Sequence, residues 1–175
     1  MNRFIYPFLA IALIAITLSG CGYTLSRTGS ASGPSKGRHK ACVPMFVNDT
    51  FEPLIEEELT AALSDELMTD GRWVLTARGD ADLLVTGRVT GFELVPLSYD
   101  AKERILEYRL RIRSDVKVTD VKTDKVLWKD SGVETFADYR VTDDITKSKI
   151  RKGEAVRKAA KGFAEDFIIR VLDTF

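Results

Sequence analysis

The fold class is decided by the segment Ile105-Leu-Glu-Tyr-Arg-Leu-Arg-Ile-Arg-Ser-Asp-Val-Lys-Val-Thr-Asp-Val121, in which apolar and polar residues alternate. A period of two residues is typical of a β-strand with one covered face and one exposed face. One side of this strand is therefore predicted to join a core, and the other to meet solvent or a partner. The predicted inward residues are Tyr108, Leu110, Ile112, Val116 and Val118, and the outward ones are Arg109, Arg111, Arg113, Asp115, Lys117 and Thr119.

Periodicity on either side of this segment predicts further strands and two helices, in the order β-α-β-β-β-β-α. Pro53 suits the first turn of a helix, where its missing N–H costs nothing, and Gly71 suits the position after a helix. A strand, a helix and a strand in succession favour parallel pairing of the first two strands. The predicted elements are strand 41–48, helix 53–70, strands 73–77 and 82–95, loop 96–103, strand 105–121, turn 122–124, strand 125–136 and a helix from 144 or 149 to 172.

Both predicted helices carry a single apolar stripe, so both are expected on one face of the sheet. The predicted fold class is α+β: a mixed β-sheet of four to five strands with two α-helices packed on one face. Pro44 indicates an edge or a bulge in the first strand, and Gly91 indicates a bulge in the third. The other sheet face is expected to be uncovered in the monomer and to invite a partner. Its basic residues are Arg88, Arg109, Arg111, Arg113 and Lys117, with Lys129 as a further candidate.

The N-terminus has the pattern of a bacterial lipoprotein signal peptide. Arg3 precedes an apolar run, Phe4 to Leu18, which is too short to span a bilayer comfortably as a helix. Leu18-Ser-Gly-Cys21 then resembles a lipobox. Residues 1–20 are therefore predicted to be removed and Cys21 to carry a diacylglycerol and an N-acyl chain, a durable membrane anchor. The alternative is a short uncleaved anchor in which the cysteine is incidental.

Residues 21–40 are predicted to combine the acylated cysteine with a flexible tether. Ser26 to Lys40 is rich in Gly and Ser and nearly devoid of apolar residues. Its basic residues would suit anionic lipid headgroups, and a plain spacer is an equal alternative. Residues 41–175 are then predicted to form a single α+β domain.

Charge is distributed unevenly along the chain, although the formal net charge is zero. Residues 1–40 contain five bases and no acid, so the remaining 135 residues hold 21 bases and 26 acids. A mildly acidic domain lacks the basic footprint of a general nucleic-acid binder. No nucleic-acid partner is therefore predicted.

No arrangement of residues points to catalysis. The single histidine, His39, lies in the predicted tether, and no His, Cys, Asp or Glu cluster has metal-binding spacing. With Cys21 acylated, Cys42 has no disulfide partner. The sequence predicts a protein that is not an enzyme and uses no metal or cofactor apart from the lipid on Cys21. A hydrolase built on paired carboxylates, such as Asp143 and Asp144, is the alternative left open.

Short motifs spread along the chain carry a family likeness. They are Cys21-Gly-Tyr-Thr-Leu25, Val43-Pro-Met-Phe-Val-Asn-Asp-Thr-Phe-Glu-Pro53, Asp70-Gly-Arg-Trp73, Asp82-Leu-Leu-Val-Thr-Gly87, Pro96-Leu-Ser-Tyr-Asp100, Glu107-Tyr-Arg109, Val126-Leu-Trp128 and Asp138-Tyr-Arg-Val141. Together they resemble the LptE family, the lipopolysaccharide-assembly lipoproteins of the outer membrane. The likeness covers essentially the whole mature chain.

The resemblance implies a role as well as a fold. It implies two helices on one face of a mixed sheet, in a periplasm-facing lipoprotein of the outer membrane that is not an enzyme. It further implies a plug inside the lumen of the β-barrel LptD, the pair moving lipopolysaccharide to the outer leaflet. Gly22, rather than Asp, at the second mature position favours delivery to the outer membrane by analogy with other lipoproteins.

The basic residues of the predicted open face suit such a role. Arginine forms bidentate contacts with phosphate, and a barrel lumen is polar. The hypothesis is that the open-face side chains meet either the lumen wall or the passing lipopolysaccharide. The alternative is a solvated face whose charges are balanced across strands by Glu107, Asp115 and Glu134.

A different class of function competes with this one. Other periplasm-facing outer-membrane lipoproteins share the Pro-x-Phe-x-Asn-x-Thr motif and the Ala-Asp-Leu-x-x-Thr-Gly strand, among them activators of penicillin-binding proteins and the curli-secretion pore family. The alternative prediction is therefore an activator of a cell-wall synthase or a secretion component. The Cys-Gly-Tyr start and the Pro-Leu-Ser-Tyr-Asp loop favour LptE.

Overall fold

The computed structural model describes residues 38–172, which contain six strands and two helices. The predicted signal peptide, the acylated Cys21 and the predicted tether as far as residue 37 lie outside the described residues. The strands are β1 (His39–Cys42), β2 (Val47–Asn48), β3 (Trp73–Leu75), β4 (Leu83–Tyr99), β5 (Ile105–Asp120) and β6 (Val126–Arg140), and the helices are α1 (Ile55–Asp70) and α2 (Ile145–Leu172), with a short 3₁₀ turn at Arg78–Asp80.

All six strands belong to one mixed sheet. Its order is β3-β1-β4-β5-β6, and β2 pairs with β4 further along that strand. β1 runs parallel to β3 and to β4, which confirms the predicted parallel pairing around the first helix. β4, β5 and β6 form an antiparallel meander. The α+β fold class is therefore confirmed.

The sheet has six strands, rather than four to five, because the predicted strand 41–48 is divided in two. Pro44 lies between β1 and β2 and has no N–H to donate to a neighbouring strand. The segment between the two strands is bonded to α1 instead, because the Phe46 backbone N–H donates a hydrogen bond to Thr60 Oγ1 at 3.0 Å. β1 begins at His39, two residues before the predicted start.

The predicted loop 96–103 is shorter in the structure, because β4 continues to Tyr99. Pro96 is tolerated in this strand since β2 pairs with β4 no further than Val89, which leaves that side of Pro96 without a partner strand. Asp100 closes the hairpin: its Oδ1 accepts hydrogen bonds from the backbone N–H groups of Lys102 and Arg104 at 2.8 and 2.9 Å. A short turn thus replaces most of the predicted loop.

The first residues of both helices differ slightly from those predicted. α1 begins at Ile55 instead of Pro53, because Leu54 adopts a left-handed conformation with φ of 65°. The helix ends at Asp70 as predicted, with Gly71 left-handed at φ of 74°. α2 begins at Ile145, close to the earlier of the two predicted starts.

One hydrophobic core joins both helices to the same sheet face. Leu59, Leu63 and Leu67 of α1 are fully buried, and burying each contributes about 1.5–3 kcal/mol. α2 contributes an aromatic residue, Phe163, whose ring meets the Phe46 ring edge-on at 5.9 Å. These residues pack in one cluster with the inward residues of β5, so the two helices cover a single face as predicted.

Gly87 on β4 provides the space for this packing. A Cβ atom at Gly87 would lie only 2.1 Å from the Phe46 ring. The aromatic ring therefore occupies the volume that a side chain on β4 would need. This close approach places the segment between β1 and β2 over the sheet.

Candidate functional site

The second face of the sheet, here called the open face, has no helix over it in the part of the chain that the structure describes. Side-chain exposure is 37% for Arg109, 39% for Arg111 and 46% for Arg113 on β5. Lys117 on the same strand and Arg88 on β4 are exposed as well. The structure thus brings all five predicted site residues to one surface, on two adjacent strands.

The alternation of inward and outward residues along β5 is preserved because most of the bulges lie on the neighbouring strands, β4 and β6. Between Glu107 and Asp120 the extra residues lie on β4, near Gly91 and Leu97, and on β6, near Gly132 and Leu127. The register shift at Val89–Gly91 agrees with the predicted bulge. An uninterrupted period of two therefore keeps the arginines of β5 on the side away from the helices.

Two arginines of β5 form close ion pairs with acids of β6. Arg109 donates from Nε and Nη2 to the two carboxylate oxygens of Asp138, at 2.7 and 2.9 Å. Arg113 donates from Nε and Nη2 to Glu134 Oε1, at 3.1 and 2.6 Å. The Arg109 guanidinium also lies 4.9 Å from the centre of the Phe136 ring. Geometry of this kind fixes the direction of both guanidinium groups.

The other two predicted arginines also have acidic neighbours. Arg88 Nη1 donates to both carboxylate oxygens of Asp49, at 2.7 and 2.6 Å. Arg111 is held more loosely, with Nη1 3.6 Å from Glu93 Oε2. The open face is therefore a lattice of alternating charges and not an uncompensated basic stripe.

These contacts shift the titration of the paired groups. Hydrogen bonding from Arg109 lowers the pKa of Asp138, and hydrogen bonding from Arg113 lowers the pKa of Glu134. The same bonds raise the pKa of each arginine. All four groups are consequently charged at neutral pH.

Sequence reasoning found only part of this lattice. Of the three acids predicted to balance the arginines, only Glu134 forms ion pairs with them among residues 38–172, with Arg113 and, at 4.0 Å, with Arg111. Asp115 instead accepts a hydrogen bond from the Gly132 backbone N–H at 2.8 Å. The missed partners are Asp49, Asp138 and Glu93, and finding them would have required the register between neighbouring strands.

Part of the open face forms a concave site, here called the lysine pocket, of about 330 Å³. Lys117 lies directly opposite Lys129 of β6, which was the further candidate on this face. In the described part of the chain neither lysine forms an ion pair. The residues that line the pocket are Val47, Thr86, Gly87, Arg88, Asp115, Val116, Lys117 and Lys129.

Residues 38–172 lack two other kinds of feature. No helix there is long and apolar enough to cross a bilayer. No group of three or more His, Cys, Asp or Glu residues there is arranged to hold a metal ion.

Solved structures with a similar fold include several lipoproteins. A presumed lipoprotein from Caulobacter crescentus CB15 is 18% identical, with a TM-score of 0.56 over 73% of this chain and 85% of that one. The rare lipoprotein B of Shewanella oneidensis is 14% identical, with a TM-score of 0.52 over 78% and 96% of the two chains. At these identities the likeness is one of fold.

The family itself is identified from the sequence. No curated protein matches the chain. The model of the LptE family, described as lipopolysaccharide-assembly, matches residues 39–171, which include every strand and nearly all of α2. This chain therefore belongs to the LptE family of lipopolysaccharide-assembly proteins.

Proposed function

We propose that this protein is an outer-membrane lipoprotein that acts as a plug in the LptD β-barrel and assists delivery of lipopolysaccharide to the outer leaflet. In this proposal Cys21 carries the lipid that anchors the protein, and the domain faces the periplasm. Membership of the lipopolysaccharide-assembly family supports the general role. The particular partner and the plug geometry are the parts to be tested.

The observation that carries the proposal is the uncovered, highly charged sheet face. Exposure of one whole side of β4, β5 and β6 contributes little to the stability of a monomeric domain. The lumen of a large barrel is polar, and charges of both signs on the open face are suited to such a wall. The helix-covered face supplies the stability, which leaves the open face available for contact.

The exposed ion pairs also suit a surface that changes partners. An exposed pair between arginine and a carboxylate contributes little to stability, because water solvates both charges well. Arg109 and Arg113 can therefore exchange Asp138 and Glu134 for an acidic group on the lumen wall or a phosphate of lipopolysaccharide. Their fixed orientation favours bidentate contacts.

The proposal includes a binding role without catalysis. No bond is made or broken by the chain, and it needs no cofactor other than the lipid on Cys21. Substrate handling in this scheme consists of contact and guidance along the barrel wall.

Site-specific photo-crosslinking in intact cells tests the contact surface. A crosslinker at Arg111 is expected to capture a large outer-membrane β-barrel or lipopolysaccharide. The matched control is Lys161 on α2, which is exposed on the helical side of the domain. Equal capture from both positions, or capture of a cell-wall synthase from Arg111, would contradict the proposal.

Charge reversal tests whether the charges of the open face are needed for these contacts. The double variant Arg111→Glu/Arg113→Glu is expected to lower recovery of the barrel in co-purification and to weaken lipopolysaccharide binding, because it places like charges beside Glu93 and Glu134. Lys161→Glu serves as the control. Unchanged barrel assembly and lipopolysaccharide binding in the double variant would refute a role for this strand.

A further inference from the structure

The lysine pocket differs from the rest of the open face in its charge balance. Lys117 lies directly opposite both Lys129 on β6 and Thr86 on β4, so the three residues form one row across three strands. Among residues 38–172 neither lysine has an ion-pair partner, whereas the four predicted arginines each have one. Directly opposed like charges repel each other. A bound anion would relieve that repulsion.

A hydroxyl group in the same row is a second, independent observation. Thr86 Oγ1 is withdrawn from solvent and has no hydrogen-bond partner among the described residues. A hydroxyl in this state is unfavourable, and it has a proton free to donate. Thr86 adjoins Lys117 on the ladder, and both residues line the pocket.

The other charged residues of the pocket already have partners. Asp115 accepts the Gly132 backbone N–H, and Arg88 is held by Asp49. Asp115 would repel an anion, and its hydrogen bond to the backbone engages one of its oxygens. The lysines and the threonine are therefore the donors available to a ligand.

We infer that the lysine pocket binds a phosphate group. A phosphate monoester carries between one and two negative charges near neutral pH and offers several acceptor oxygens, which match two ammonium groups and one hydroxyl. The pocket, at about 330 Å³, has room for such a group. The inference rests on the proposed function in one respect, since it takes the open face to be a contact surface.

The same chemistry is found on a lipid headgroup and in free inorganic phosphate, so the test uses both. Full-length lipoprotein in neutral detergent is titrated with inorganic phosphate, and separately with mixed micelles that contain phosphatidic acid. Binding is followed by calorimetry and by the NMR signals of the lysine ammonium groups. Saturable binding of at least one probe is expected, with shifts at Lys117 and Lys129.

Variants of the donors make the test specific. Loss of two charged donors is expected to lower affinity by about tenfold or more in Lys117→Gln/Lys129→Gln. Thr86→Val is expected to lower it by a smaller factor. Lys161→Gln, which removes an exposed lysine of α2, is the matched control and should bind like the unmodified protein.

Thermal unfolding provides a second measurement. Without phosphate, the double lysine variant is expected to unfold at the same temperature as the unmodified protein or higher, since the repulsion is gone. Saturating ligand should raise the Tm of the unmodified protein and not that of the double variant, because a ligand stabilises only the state that binds it.

Each outcome decides the inference. Binding of free phosphate supports a site for the anion itself, and binding of phosphatidic acid alone supports a lipid headgroup. No saturable binding of either probe, or equal binding by the double variant, overturns the inference. If the protein co-purifies with LptD and binds no phosphate, only this inference fails. If it binds phosphate and no barrel is recovered, the proposed function fails and the site remains.

Discussion

The two faces of β5 make different kinds of contact, although their residues alternate along one strand. On the inner face Leu110, Ile112 and Val118 are fully buried against the helices. On the outer face, one residue away, the side chains of Arg111 and Arg113 are 39% and 46% exposed. Shape and volume govern the inner face, whereas charge and direction govern the outer one.

This difference teaches how stability and contact are divided in the domain. Apolar burial stabilises the fold roughly in proportion to the area removed from water. Exposed ion pairs contribute much less, so the outer face can change partners without unfolding the protein. Substitutions on the two faces should therefore separate folding from function.

The largest expected effect is a loss of stability on the inner face. Ile112→Ala removes a fully buried side chain and should cost about 2–5 kcal/mol of unfolding free energy, measured by urea denaturation. The matched control is Arg113→Ala, the next residue along β5 on the outer face, which should change stability far less. Equal losses in the two variants would show that the outer face also supports the fold.

The next effect concerns the close approach between Phe46 and β4. Gly87→Ala introduces a Cβ atom 2.1 Å from the aromatic ring, so the ring must move, at a cost of about 1–3 kcal/mol. Gly79→Ala is the control, since no heavy atom other than those of residues 78–80 lies within 4 Å of the position that its new methyl carbon would take. If Gly87→Ala were as stable as the control, the ring would not be fixed against β4.

The smallest expected effect concerns the ion pair between Arg109 and Asp138 on the outer face, and it depends on pH. Hydrogen bonding by Arg109 lowers the native pKa of Asp138 below its ordinary value of 3.8. The carboxylate's contribution to stability is therefore complete above pH 3.8 and is lost as pH falls through the lowered native pKa. Asp138→Asn should have a slightly lower Tm than the unmodified protein at neutral pH.

The Tm difference between these two proteins should shrink as the pH falls below 3.8. Asp166→Asn on the exposed side of α2 is the control, because no hydrogen bond to its carboxylate occurs among the described residues. A difference for Asp138→Asn that stayed constant across this pH range would contradict the ion-pair explanation.

The acidic partners of the outer-face arginines could not be predicted from the sequence pattern, because bulges shift the register between β5 and β6. Thr119 lies opposite Val126, and an unbroken ladder from that pair would place Phe136 opposite Arg109. Two extra residues on β6 place Asp138 there instead. Gly132, left-handed at φ of 70°, lies at one of these bulges, but the alternation of apolar and polar residues does not show where the register shifts.

Similar reasons explain the shifted element boundaries. Pro44 indicated an edge or a bulge, whereas the structure shows two separate strands, with a hydrogen bond from the Phe46 backbone N–H to Thr60 of α1 in the segment between them. Pro53 suited a helix start, but Leu54 is left-handed and the helix begins after it. In both places a contact or backbone conformation outside the local periodicity set the boundary.

The sequence by itself determined which side of each element is apolar, and hence the α+β fold with one open sheet face. It could do so because burial of apolar side chains follows the period of a strand or helix, which is a local property. Only the tertiary structure decided that the arginines are paired with acids while Lys117 and Lys129 are left facing each other. Those relations join residues of different strands, so they depend on a register that the bulges reset.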